Sequence, residues 1–165
     1  EIAGALGLKM ARPDAEVIAL VGDGSYLMMN SEIATSMMLK QKLIVVVLDN
    51  RGYGCIQRLQ LASGSPRFNN LLEDCGTPPA IDFAANARSL GAQAVHVEDI
   101  AELRSAMRAA RAAKTTQVIV IDTTPWRTTG DGGAWWEVAI PEISPRAEVR
   151  SARERYETGK RGQRA

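Results

Sequence analysis

The chain reads as an α/β protein built on an open, doubly wound parallel sheet with helices on both faces. Apolar, β-branched runs at 17–21 (VIALV), 43–48 (LIVVVL) and 118–122 (VIVID) are continuous rather than alternating, as in strands buried on both faces. Segments with helical periodicity lie between them, and that alternation specifies helices covering a parallel sheet.

The elements follow in chain order. Glu1-Ile2-Ala3-Gly4-Ala5-Leu6-Gly7 reads as a helix already in progress, and the first residue is not Met, so the sequence is expected to be a piece of a longer polypeptide. The strand 17–21 leads into the turn Gly22-Asp23-Gly24. Asn30 or Ser31 then caps a helix carrying Ile33, Met37 and Met38. The strand 43–48 ends at Asp49-Asn50. The stretch 63–80, rich in Gly, Pro, Asn and Ser, is too long for a tight connection and is expected to be functional or mobile. A short fourth strand is expected at 93–97, then a helix over 101–113 with Leu103, Ala106, Met107 and Ala110 on one stripe, then the strand 118–122. After Pro125 the alternation stops, and 146–165 reads as a solvated helix or frayed tail. The expected division is a domain over 1–124 and an extension, lid or tail over 125–165.

Composition narrows the partners. In 165 residues, 20 basic side chains balance 19 acidic ones, so no general attraction to nucleic acid or anionic lipid is expected. No apolar run approaches the ~20 residues of a membrane span, and no signal peptide opens the chain, which points to the cytoplasm. Cys55 and Cys75 fit neither a disulfide framework nor a metal site and are expected to be buried or idle thiols. Small molecules and protein remain as partners.

Asp23 stands just past one buried strand and Asn50 just past the next, 27 positions on, with one helix between. In a right-handed βαβ unit the carboxyl ends of adjacent strands lie side by side, neighbours about 4.8 Å apart. Asp23 and Asn50 can then face one ion. Carboxylate and amide oxygens are hard ligands that Mg²⁺ accepts, its octahedron being completed by phosphate, water or a backbone carbonyl such as that of Gly52. Gly22 and Gly24 permit a tight turn, and the amides of Gly24 and Ser25 can meet a phosphate. A Rossmann fingerprint would need glycine where Leu27 stands, and no Walker lysine follows.

GDG, followed by the Asn of DNRGYG, resembles the diphosphate-binding motif of thiamine diphosphate enzymes of the acetohydroxyacid synthase and pyruvate decarboxylase type. The resemblance covers about residues 1–124. It implies that Asp23, Asn50 and the Gly52 carbonyl hold Mg²⁺, that Gly22, Gly24 and Ser25 sit at the diphosphate, and that Tyr53 is the neighbouring aromatic. It also implies a homo-oligomer with the cofactor between subunits, the activating glutamate on another domain, and no activity for this piece alone. Asp49 departs from the motif, which commonly has two asparagines; the second carries the ligand.

The second triplet, in 130–137 (GDGGAWWE), follows no apolar strand, and 27 residues beyond Asp131 lies Thr158 in a charged tail. It is therefore not a second phosphate site. Trp135 and Trp136 either pin the tail to the domain or belong to a loop closing over substrate, with Glu137 or Asp131 bonding hydroxyls or moving protons. The stretch TTGDGGAWWEVAIPEIS resembles the carboxyl-terminal signature of the 3D-(3,5/4)-trihydroxycyclohexane-1,2-dione hydrolases of myo-inositol catabolism. That resemblance implies hydrolytic ring opening of a polyhydroxylated cyclic dione to 5-deoxy-D-glucuronate. Another reaction of the superfamily, such as 2-oxo acid decarboxylation or acetohydroxyacid synthesis, and a cofactor-free assembly role are the alternatives. His96 is expected to be structural; a catalytic role would require it to face the carboxyl edge of the sheet. Gln57 and Arg58 are expected at the surface or in packing, with contact to substrate as the other reading.

Overall fold

A computed structural model describes residues 1–76, 81–127 and 139–162. The chain divides into two compact units, Glu1–Gly52 with Pro78–Thr124, and Tyr53–Thr77 with Pro125–Ala165.

The first unit holds the sheet. Its elements are α1 (Ile2–Ala11), β1 (Ile18–Gly22), α2 (Asp23–Met29), α3 (Ser31–Met38) and β2 (Ile44–Asp49). The second unit's α4 (Gly54–Ala62) follows in sequence, after which the first resumes with α5 (Phe83–Ser89), β3 (Gln93–Val97), α6 (Ile100–Ala112) and β4 (Gln117–Asp122). All strands pair in parallel in the order β1-β2-β4-β3, so β4 returns between β2 and β3.

Helices cover both faces. On one, Ile2, Ala5 and Leu6 of α1, Ile33 of α3 and Phe83, Ala84 and Ala87 of α5 form a core with Ala19, Val21, Val45, Val47, Val118 and Val120. On the other, Leu103, Ala106, Met107 and Ala110 of α6 pack with Ile44, Val97, Ile119 and Ile121. The stripe read from 101–113 is thus the face α6 buries. Each fully buried Val or Ile contributes about 1.5–3 kcal/mol. That burial on both sides is why the runs of β2 and β4 do not alternate.

Polar joints fix the layers. Ser36 Oγ and Thr116 Oγ1 are 2.8 Å apart in the interior, and Thr116 Oγ1 also accepts the Leu43 amide at 3.1 Å. The helix starts of α5 and α6 are capped by Asp82, which accepts from the Ala85 amide, and Asp99, which accepts from the Glu102 amide, both at 2.8 Å.

The structure corrects several local expectations. Helix begins at Asp23 itself, immediately after β1. Asn30 has helical angles and its side chain makes no cap; its amide instead donates to Asn86 Oδ1 at 3.1 Å. Ile33 is buried, but Met38 is 75% exposed, because its position lies off the stripe that α3 turns to the sheet. Neither cysteine is buried: both are exposed, and Cys55 Sγ accepts from Arg58 at 3.2 Å.

The second unit contains α4, a 3₁₀ turn at Leu72–Cys75 and α7 (Ala147–Arg161). The charged segment after 146 is therefore helical, and it buries Val149 and Ala152. Gly64 adopts φ +80° where the chain passes α7, and a Cβ there would lie 2.4 Å from the Glu148 carbonyl oxygen. Part of the long loop is thus structured; 77–80 lie outside the described residues.

Candidate functional site

Strands β1 and β2 are adjacent and in register, Gly22 beside Leu48, so the residues just past each strand meet at the carboxyl edge. Asp23, 4% exposed, accepts the Gly52 amide on Oδ2 at 2.6 Å. With its amide nitrogen turned inward, Asn50 donates to Asp23 Oδ1 at 3.3 Å and to the Gly52 carbonyl oxygen at 2.7 Å. A half-turn of that amide puts its oxygen in the nitrogen's place and leaves three oxygens converging with no proton between them. Such a group repels itself unless a cation lies among the oxygens, and carboxylate, amide and carbonyl are the donors a hard cation takes. The residues present therefore fit Mg²⁺. Among the described residues no group of three or more His, Cys, Asp or Glu could hold a metal.

The electrostatics agree. Burial raises the Asp23 carboxyl above its ordinary range, the Gly52 amide opposes this, and the charge of Asp49 pushes it up further. A cation would relieve that cost. Gly24 and Ser25 occupy the first turn of α2, where backbone amides have no partner within the helix.

Other residues hold this arrangement, and the sequence reading missed most of them. Tyr26, fully buried, donates to Asn86 Oδ1 at 2.8 Å and stands edge-on to Phe83, so α2 is tied to α5 directly behind the site. Burial pushes the Tyr26 hydroxyl up to about 12, and it remains a donor. Arg51 and Gly52 both have positive φ, +62° and +140°. The Arg51 amide donates to Asp49 Oδ1 and its guanidinium to Asp122 Oδ2, each at 2.9 Å. His96 Nε2 lies 2.9 Å from Asp122 Oδ1. His96 thus faces the carboxyl edge, as a functional role would require. The His96 hydrogen bond, more than the nearby Arg51 charge, lowers the Asp122 carboxyl below its ordinary range. One signal for Asp122 was readable: β4 ends in Ile-Asp as β2 ends in Leu-Asp.

Asp23, Asn50, Gly52, Gly22, Gly24 and Ser25 all belong to the first unit. Tyr53 opens the second; its amide donates to the Asn70 carbonyl at 2.7 Å. Gln57 is buried there with no partner for Nε2 among the described residues, while Arg58 donates to the Pro125 carbonyl. Asp131, Glu137 and both tryptophans of 130–137 lie outside the described residues.

Residues 1–123 match the family described as thiamine pyrophosphate enzyme, C-terminal TPP binding domain. The chain is 38% identical over 162 residues to a 3D-(3,5/4)-trihydroxycyclohexane-1,2-dione hydrolase of Bacillus thuringiensis (strain Al Hakam), covering 93% of this chain and 25% of that protein. A hydrolase of the same name from Bacillus velezensis is 35% identical over 166 residues, with 96% and 25% covered. The chain therefore spans about a quarter of the length of these relatives. Among solved structures, a thiamine diphosphate-dependent 4-hydroxybenzoylformate decarboxylase of Rhodococcus jostii RHA1 superposes with TM-score 0.66 at 26% identity, covering 73% of this chain and 22% of that one. Benzoylformate decarboxylase from Polynucleobacter necessarius gives TM-score 0.66 at 29% identity, with 77% and 23% covered.

Proposed function

This chain belongs to the thiamine pyrophosphate enzymes, as their C-terminal TPP binding domain, and from that premise we propose that it is the diphosphate- and Mg²⁺-holding part of a 3D-(3,5/4)-trihydroxycyclohexane-1,2-dione hydrolase. The observation that carries the metal reading is the convergence of Asp23, Asn50 and Gly52 oxygens at the ends of β1 and β2. The substrate reading rests on the hydrolases matched over nearly the whole chain, including the segment after Pro125.

In this reading Asp23, Asn50 and the Gly52 carbonyl hold Mg²⁺, and Gly22, Gly24 and Ser25 bring backbone up to the diphosphate. Bound thiamine diphosphate supplies the carbon nucleophile and electron sink needed to cleave the bond between two carbonyl carbons. The role proposed for this chain is to hold the diphosphate end of that cofactor. Tyr53 is proposed as the aromatic that neighbours the diphosphate site. Asp131 and Glu137 are proposed to bond substrate hydroxyls or move protons from the 130–137 segment. We take residues 1–124 as the cofactor-binding domain and 125–165 as an extension, lid or tail.

We place the protein in the cytoplasm as a homo-oligomer acting on a small polyhydroxylated dione, with neither nucleic acid nor membrane as partner. No helix among the described residues is long and apolar enough to cross a membrane. Leu27, Met28 and Met29 stand exposed on α2 directly after the candidate site, apolar surface suited to a subunit contact. This piece alone is expected to be inactive.

The full-length protein, supplied with thiamine diphosphate and Mg²⁺, is expected to open the dione to 5-deoxy-D-glucuronate. The decarboxylase structures favour a second reading, 2-oxo acid decarboxylation. Turnover of pyruvate or benzoylformate without turnover of the dione would replace the first reading by the second.

A further inference from the structure

Between the two residues proposed to reach Mg²⁺ through Asn50 Oδ1 and the Gly52 carbonyl stands Arg51, and its backbone is out of the ordinary range. A non-glycine residue at φ +62° occupies the left-handed region that side chains disfavour. The next residue, Gly52 at φ +140°, sits where glycine is favoured. Together these angles turn the loop back so that the Gly52 amide reaches Asp23 and its carbonyl meets the Asn50 amide. A strained backbone of this kind persists only where its surroundings hold it.

The holders can be named. Asp49 accepts the Arg51 amide, fixing the turn from the backbone side. Asp122 takes the guanidinium, fixing it from the side-chain side. The register makes this second contact available, because Asp49 and Asp122 are paired neighbours at the ends of β2 and β4. The Thr123 amide also donates to the Asp49 carbonyl at 2.7 Å, binding the two strand ends together. His96, on the far strand β3, occupies the other oxygen of Asp122 and so leaves Oδ2 for Arg51.

We infer that Asp122, oriented by His96, is a positioning residue for the metal loop: it holds Arg51 in the left-handed conformation that presents Asn50 and Gly52 to the cation. This rests on the Mg²⁺ reading above and adds to it residues that touch neither metal nor cofactor. It also accounts for an arginine at a position whose φ glycine would adopt freely. The side chain supplies the anchor, and the anchor offsets the strain.

The test measures Mg²⁺ affinity of the full-length protein calorimetrically at saturating thiamine diphosphate, with metal-free melting recorded alongside. Asp122→Asn is expected to raise the Mg²⁺ Kd about tenfold, the range for residues that orient ligands. In an Arg51→Gly background, where the backbone needs no anchor, the same change is expected to have less than about a twofold effect, since a residue acting through Arg51 must show coupling. An unchanged Kd in Asp122→Asn, or an equal loss in both backgrounds, overturns the inference. If Asp122→Asn does not fold, His96→Gln decides: a smaller loss of Mg²⁺ affinity supports the inference, and wild-type affinity overturns it. Asp23→Ala separates the two levels. Wild-type Mg²⁺ affinity in that variant removes the metal reading and this inference with it, whereas loss there with none in Asp122→Asn removes this inference alone.

Discussion

Asp23 carries a cost in the metal-free protein. Its carboxyl is raised by burial, so the native state holds its proton at pH values where the unfolded chain has lost it. As pH rises from the ordinary carboxylate range through the raised value, the native state must accept a buried charge and stability falls. Replacing the group by a neutral isostere removes that penalty. Asp23→Asn is therefore expected to raise the melting temperature of the metal-free protein at pH 7, with the gain shrinking toward acid pH where wild type is itself protonated. Melting curves across pH check this, and a gain independent of pH would contradict it. With thiamine diphosphate and Mg²⁺ added the sign reverses, because wild type gains stabilisation by binding that the variant largely lacks. The meeting of Asp23, Asn50 and Gly52 was legible in the sequence because it depends only on their standing just past the ends of consecutive strands. Arg51, Asp122 and His96 were not. Their meeting depends on β4 entering between β2 and β3, and no local pattern in the chain specifies that order.

Helix α2 starts at Asp23 with no intervening turn, so one residue both ends the reach of β1 and opens the helix. Tyr26, one turn on, secures that helix to Asn86 of α5. The strands were read to within a residue or so at each end, since double burial leaves continuous apolar runs. The short helices α4 and α5, of 9 and 7 residues, were not read from the sequence, being too short to show a clear stripe. The tail was readable as charged, but the burial of Val149 and Ala152 was not, because a helix of Arg and Glu with a few apolar residues has the same composition docked or free. Gly64 shows how closely α7 is met. Gly64→Ala must place a methyl group against the Glu148 carbonyl at a positive φ. It is expected to destabilise the protein by more than the about 1–2 kcal/mol of the backbone conformation alone. Chemical denaturation measures the loss, and a change below about 1 kcal/mol would mean that α7 is not held there.

At the scale of the whole molecule, the candidate site is a small set of oxygens gathered at one edge of the sheet. The chain offers one carboxylate, one amide and one carbonyl around a point at a sheet edge, and a cation there needs further oxygens. The sequence signalled the fold class and both halves of the diphosphate motif. It could not signal the second unit, in which the segment after Gly52 associates with the segment after Thr124, since that pairing joins parts of the chain some 70 residues apart.

Asp23, Asn50 and Gly52 are proposed to hold Mg²⁺ and through it thiamine diphosphate. The direct measurement is a calorimetric titration of the full-length protein with thiamine diphosphate, with and without Mg²⁺, in wild type and Asp23→Ala. Wild type is expected to bind only when Mg²⁺ is present, and Asp23→Ala to lose affinity by about 100-fold or more, as befits removal of the charged ligand. Equal, Mg²⁺-dependent binding by both proteins would show that the metal sits elsewhere.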